Sequence, residues 1–166
     1  MVVLKEEIGT AVTIESISFM INTPGWGSLT KEDVTFYLAL SDQDELSAVF
    51  SENYITGTRI EVLHLDAMDL SGEQGDWMQI EFETPFWYLY EHNLLLEIST
   101  PEYDGCYAHF YGWDPDSDRS LYNYDIAADQ GNLLSEVPYM KLEGTLSLEQ
   151  NTFGRIKVVL GRDEHL

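Results

Sequence analysis

Basic residues are what this chain has least of. Eight Lys and Arg face 30 Asp and Glu, a formal net charge of -22. Phosphate backbones are bound by clustered Lys and Arg, and no such cluster occurs, so nucleic acid is not an expected partner. An anionic membrane surface is disfavoured for the same reason. The acidity itself has three readings: solubility, a high-salt or calcium-rich extracellular setting, and a cationic partner surface.

Cysteine is nearly absent as well. Cys106 is alone, so no intrachain disulfide can form. It lies in the apolar phrase CYAHFY and reads as a buried strand residue. His109 would project from the opposite face of that strand, which excludes a direct Cys–His pair. No apolar run is long enough to span a bilayer, so membrane insertion is not expected. The opening MVVLKEEIG turns charged too early for a secretory leader, and the closing RDEHL is not the retention order. His64, His92, His109 and His165 show no HxH or HExxH spacing, and GxSxG, P-loop and GxGxxG motifs are missing. No catalytic residue is assigned. With 30 acidic side chains, carboxylate pairs arise by chance, so a hydrolase with an unrecognised acidic site stands only as an alternative.

What the chain does have is period-two patterning. Ile17, Phe19 and Ile21 fall on one face of a run, and Ser16, Ser18 and Asn22 on the other. Met78, Ile80 and Phe82 alternate with Gln79, Glu81 and Glu83; Val34, Phe36, Leu38 and Leu40 make another apolar face, as do Leu94, Leu96 and Ile98. Half-buried antiparallel strands look like this. Strands are expected at 2–7, 13–22, 34–41, 59–66, 77–83, 93–100, 106–111, 121–124 and 155–160. The phrases NTPGWGSLTKED, SGEQG and PEYDG carry turn chemistry. DELSAVF has the makings of one helical turn, and 125–150 shows no clear period. With 44% apolar residues there is enough for a core. The expectation is one all-β domain over 1–166, an antiparallel β-sandwich of about eight or nine strands.

The phrases EIGTAVTIESISFMINTP, DVTFYLALS, WMQIEFETPFWYLYEHNLLLEIS, DRSLYNYD and RIKVVL, in that order, resemble a family of jelly-roll β-sandwich accessory modules of secreted or surface-anchored bacterial multidomain proteins. The shared features are structural, including a Thr-Pro corner at Thr84 and Pro85. The resemblance implies a jelly-roll-like fold and an extracellular or cell-surface location. It also implies a non-catalytic role in adhesion, assembly or substrate targeting, with a protein or glycan partner outside the cell. The acidity and the segment ADQGNLLSEVPYMKLEGTLSLEQN depart from that pattern.

Two sets of residues carry candidate chemistry. Asp114, Asp116 and Asp118 alternate in DPDSDRSLYNYD, and Asp125 follows, spaced like the first, third, fifth and twelfth positions of an EF-hand loop. Arg119 stands where such a loop needs Gly, and the last ligand is Asp rather than Glu. A different, structural calcium loop and a plain solvated acidic turn both remain open. The second set is aromatic: Trp26, between two glycines in an expected loop, Trp87 and Tyr88, and Trp113 ahead of the acidic turn. Exposed rings of this kind would stack on sugar faces in a carbohydrate-binding module. The competing reading places them in the core or at its rim.

Overall fold

In the computed structural model the described residues are 1–26, 30–101, 107–146 and 155–160, the side chains of 23–26, 107–108 and 155–160 excepted. The chain is all-β. The strands are β1 (Val2–Val3), β2 (Val12–Trp26), β3 (Thr30–Ser41), β4 (Ile60–Asp69), β5 (Trp77–Tyr88), β6 (Asn93–Ser99), β7 (Tyr107–Phe110), β8 (Gly112–Trp113), β9 (Ser120–Tyr122), β10 (Asn132–Leu134), β11 (Val137–Pro138), β12 (Met140–Leu146) and β13 (Arg155–Leu160). Among the described residues the one α-helix, α1, is Lys5–Ile8, and a 3-10 turn spans Phe50–Glu52. No helix among the described residues is long and apolar enough to cross a membrane.

Two main antiparallel sheets form a sandwich. One has the order β1-β6-β3-β4, the other β13-β12-β2-β5, with β7 pairing the far end of β2. The alternating faces read from the sequence meet between them. Ile14, Ile17 and Phe19 of β2, Phe36 and Leu38 of β3, Ile80 and Phe86 of β5, Leu94 and Leu96 of β6, and Met140 and Leu142 of β12 belong to one buried cluster. Burying such side chains stabilises by roughly 1.5–3 kcal/mol each.

One irregularity in β2 keeps this face continuous. Ile14 and Ile17 are three apart, so strict alternation would turn one of them to solvent. The register jumps between Ile14 and Ser16 against β5, and between Glu143 and Gly144 against β12. Glu15 is therefore the extra residue of a bulge, and its carboxylate accepts a hydrogen bond from the Thr145 hydroxyl at 2.8 Å. The bulge presses the Thr13 carbonyl against β12. Glycine is required opposite it, since a Cβ on Gly144 would lie 1.9 Å from the Thr13 oxygen.

Several sequence expectations need correction. The first expected strand stops at Val3, because Lys5–Ile8 turns into helix and Gly9 closes it in the left-handed region at φ 77°. β2 runs through Pro24 and Gly25 to Trp26, where a loop was expected; its irregular pairing with β7 tolerates proline. β5 runs on past Glu83 to Tyr88, with the register break at the Thr-Pro corner. DELSAVF meets a helical turn only at its last residue, since the 3-10 turn is Phe50–Glu52. The region that showed no period contains β12, a strand interior to its sheet.

A further layer covers the outer face of the four-stranded sheet. Val2, Ala39 and Leu95 point outward from β1, β3 and β6 and are buried with Leu46, packed against Tyr54, Leu121 and Leu133. The cover consists of residues 42–58 and 114–138, called here the cap. Its two halves are joined by Leu46 N–H to Asp118 O at 2.7 Å, Phe50 N–H to Asp129 O at 3.1 Å and Gly131 N–H to Ala48 O at 2.8 Å.

Candidate functional site

Polar side chains shape the cap where apolar ones are few. Asn53, buried, accepts the Ser47 N–H at 2.7 Å and donates to the carbonyls of Ser47 and Val49 at 2.9 and 3.0 Å. Arg119 is 2% exposed. Its guanidinium donates twice to the Glu7 carboxylate, at 2.8 and 2.5 Å, and twice to the Val2 carbonyl. Glu7 also accepts the Leu4 N–H at 2.9 Å. One buried cation thus ties the cap to β1 and α1, and its hydrogen bonds are the condition for burying it.

Between the cap and β6 lies a cleft of about 500 Å³. Phe50, Tyr54, Leu121, Tyr122 and Ile126 give it an apolar and aromatic wall, and Asp125 and Asp129 stand at the same wall. The opposite wall is β6 from Leu95 to Ser99. Large apolar side chains are exposed here: Ile98 at 48% and Ile126 at 62%, with Tyr122 and Tyr124 in edge-to-face contact at 5.4 Å. Such concentration of exposed apolar surface marks interaction sites. Arg59, which also lines the cleft, is committed. It donates to both Glu97 carboxylate oxygens at 2.8 and 2.7 Å and lies 3.5 Å above the Tyr37 ring. The Glu97 hydrogen bond raises its pKa further above the ordinary guanidinium value. Arg59 and Glu97 are thus paired with each other, and Asp125 and Asp129 are exposed carboxylates at the cleft.

The sequence candidates fall in different places. Trp87 is 71% exposed, and Tyr88 beside it is 1% exposed. Successive strand residues face opposite ways, so Tyr88 is a core side chain rather than a ligand platform. Its hydroxyl donates to the His92 carbonyl at 2.7 Å, and burial pushes the phenol pKa up. Trp113 is half-buried, its indole N–H unpartnered among the described residues, with the Arg119 guanidinium 5.5 Å from the ring. The Trp26 side chain and Cys106 lie outside the described residues.

Asp114, Asp116 and Asp118 sit together in an exposed turn. The Asp114 carboxylate accepts the Asp116 N–H at 2.8 Å, and Asp116 adopts φ 60°, a conformation Asp tolerates. Asp125 is in a separate turn, capping the Ala127 N–H at 2.9 Å, and is one of the cleft residues. No group of three or more His, Cys, Asp or Glu among the described residues is arranged to hold a metal ion. Sequence reasoning missed Tyr54, Ile98, Tyr122, Ile126 and Asp129. The signal present was the phrase LYNYDIAADQ, which puts Tyr122, Tyr124 and Ile126 in a segment too polar to bury them all.

No family model, no curated protein and no solved structure matches the chain.

Proposed function

We propose that this protein is a non-catalytic, jelly-roll-like β-sandwich module of an extracellular or cell-surface protein, which holds a partner in the cleft between cap and β6. Adhesion, assembly or substrate targeting is the role this reading gives it. The observation that carries it is the coincidence of the cleft with exposed Ile98, Tyr122 and Ile126 on a rigid sheet frame. A binding surface needs such apolar area, whereas an isolated fold does better to bury it.

A glycan partner is the second reading, favoured by the Tyr122–Tyr124 ring pair at the cleft and by the openness of Trp87 on its strand. The experiment is a pair of screens, one on immobilised glycans and one on cell-surface adhesion, run with the native protein and with Tyr122→Ala/Ile126→Ser. Loss of about tenfold or more in affinity, with the melting temperature nearly unchanged, supports the cleft. Undiminished binding by the double variant places the surface elsewhere.

A further inference from the structure

The turn that joins β5 to β6, at the end of β6 remote from Ile98, exposes large apolar side chains on a clamped backbone. Trp87, Leu89 and Tyr90 are 71, 57 and 40% exposed. Tyr90 also holds φ 63°, a left-handed conformation that is costly for an aromatic residue. The base of the turn is fixed from beneath. The buried Tyr88 hydroxyl donates to the His92 carbonyl at 2.7 Å, and the His92 ring meets the Asp42 carboxylate at 2.6 Å. Buried Asn93 donates to the Gln43 carbonyl and the Asp44 carboxylate, and accepts the Lys5 N–H at 2.9 Å. Burial raises the Tyr88 phenol pKa, and the neighbouring Tyr90 and Glu6 add to the rise, which places both near its hydroxyl. Exposed Glu6, Asp42, Asp44 and Glu91 thus stand around the turn, against Lys5 and His92 as basic groups.

Elsewhere in the chain aromatic rings carry cations. The Arg59 guanidinium lies 3.5 Å above the Tyr37 ring while it holds both Glu97 oxygens, and the Lys141 amine lies 3.3 Å above the Trp77 ring. No Lys or Arg among the described residues lies over Trp87 or Tyr90. We infer that this turn docks an arginine-bearing segment of a partner protein, whose guanidinium stacks on Tyr90 or Trp87 and pairs with Glu6 or Glu91, as Arg59 does with Tyr37 and Glu97. Cation–π attraction and ion pairing then act on one planar group, which favours Arg over Lys. Leu89 offers the aliphatic stem an apolar contact. A turn already clamped in its exposed form loses little freedom on docking. A second copy of this chain is a poor occupant, because two chains of charge -22 repel, and the same charge steers a basic segment inward. This surface is separate from the cleft and does not depend on it.

The probe is a Gly-Arg-Gly-Arg-Gly peptide with blocked ends, titrated into the isotope-labelled protein and followed by NMR at several salt concentrations. Amide shifts should centre on Leu89, Tyr90 and Glu91, and binding should weaken as salt rises. The same peptide with citrulline in place of Arg, which keeps the shape and loses the charge, should not bind. Tyr90→Gly removes the ring and suits the left-handed backbone. It should weaken binding about tenfold, with the melting temperature unchanged or higher. Glu6→Gln/Glu91→Gln should weaken binding about tenfold as well. Asp66→Asn/Glu73→Gln, the same charge change on the far half of β4 and in the loop before β5, should not. Absence of shifts with the Arg peptide, equal binding of the citrulline peptide, or undiminished binding by Tyr90→Gly overturns the inference. A melting temperature clearly lowered by Tyr90→Gly makes the ring a packing residue and overturns it too. Equal loss from both charge variants shows diffuse attraction to an acidic protein and overturns the site. Binding that survives Tyr90→Gly and is lost in Tyr122→Ala/Ile126→Ser puts the peptide in the cleft, which overturns this inference and supports the reading above. A glycan whose binding is lost in Tyr90→Gly, while no Arg peptide binds, overturns the basic partner.

Discussion

The sandwich and the cap are built from the same chain by different means. In the sandwich, long strands stack alternating apolar faces, and Phe36, Leu38, Ile14 and Ile17 are completely enclosed. In the cap, strands of two or three residues are fixed by side-chain hydrogen bonds: Asn53 on its loop, Asp114 and Asp125 on their turns, Arg119 on Glu7 and Val2. Apolar burial is non-directional and tolerates many residue choices; polar fixation depends on single groups. The cleft forms where the two meet, with a rigid sheet edge on one side and an adjustable polar loop on the other.

The largest effect should come from the sandwich. Phe36→Ala removes a wholly enclosed ring between the sheets and should cost about 3–5 kcal/mol in urea unfolding. Every probe should report the same loss, since both sheets share the cluster. Gly144→Ala comes next. The added methyl meets the Thr13 backbone, which cannot rotate away, so a cost of about 3 kcal/mol is expected. A loss below about half a kcal/mol would show that the β2 bulge can move and is not what sets this position.

How far the sequence disclosed these regions follows the same division. β3, β6 and β13 were legible because every second residue on one face is apolar, from Val34 to Leu40, from Leu94 to Ile98 and from Ile156 to Leu160. β12 was not: in MKLEGTL the alternation of Met140 and Leu142 ends at Gly144, and a glycine reads as a turn. Its actual reason is the bulge on a neighbouring strand that is remote in sequence. Trp87 and Tyr88 were both visible as aromatics, but adjacent residues on a strand face opposite sides and composition does not say which is inside. The cleft was the least legible feature. Its walls come from residues 46–59, 95–100 and 120–129, brought together only by the fold. Arg119 was noted solely as a misfit in a calcium loop, because a buried Arg is recognisable only once Glu7 is beside it.

Arg119→Met tests whether the two regions are separable. It deletes a buried cation, takes two guanidinium donors from the Glu7 carboxylate, which keeps the Leu4 N–H, and leaves the Val2 carbonyl without its Arg119 donors. Glu7 is partly exposed, its side chain at 24%, so water recovers some of the loss. A cost of about 2–3 kcal/mol is expected. The loss should be local, with faster hydrogen exchange at the Leu46 and Gly131 amides that join the cap halves and little change at Phe36 and Leu38 of β3. Equal acceleration in both regions would break the comparison and make cap and sandwich one cooperative unit.

The smallest effect concerns calcium at Asp114, Asp116 and Asp118. A specific ion would stabilise the native state by about 2.7 kcal/mol at a hundredfold excess over Kd, a melting shift of about 5–10 °C in a chain of this size. The geometry argues for less. The Asp114 carboxylate already serves the Asp116 N–H, Asp125 lies in another turn serving Ala127, and the Arg119 side chain that follows Asp118 is turned inward to Glu7. Calcium should then act by screening an acidic surface, and sodium chloride at matched ionic strength should raise the melting temperature equally. A calcium shift clearly above that of sodium chloride, abolished by Asp116→Asn/Asp118→Asn and weaker with magnesium, would mean that the ion gathers these carboxylates into a site. The cap would then be held by a metal as well as by Arg119, and its contrast with the sandwich would be sharper still.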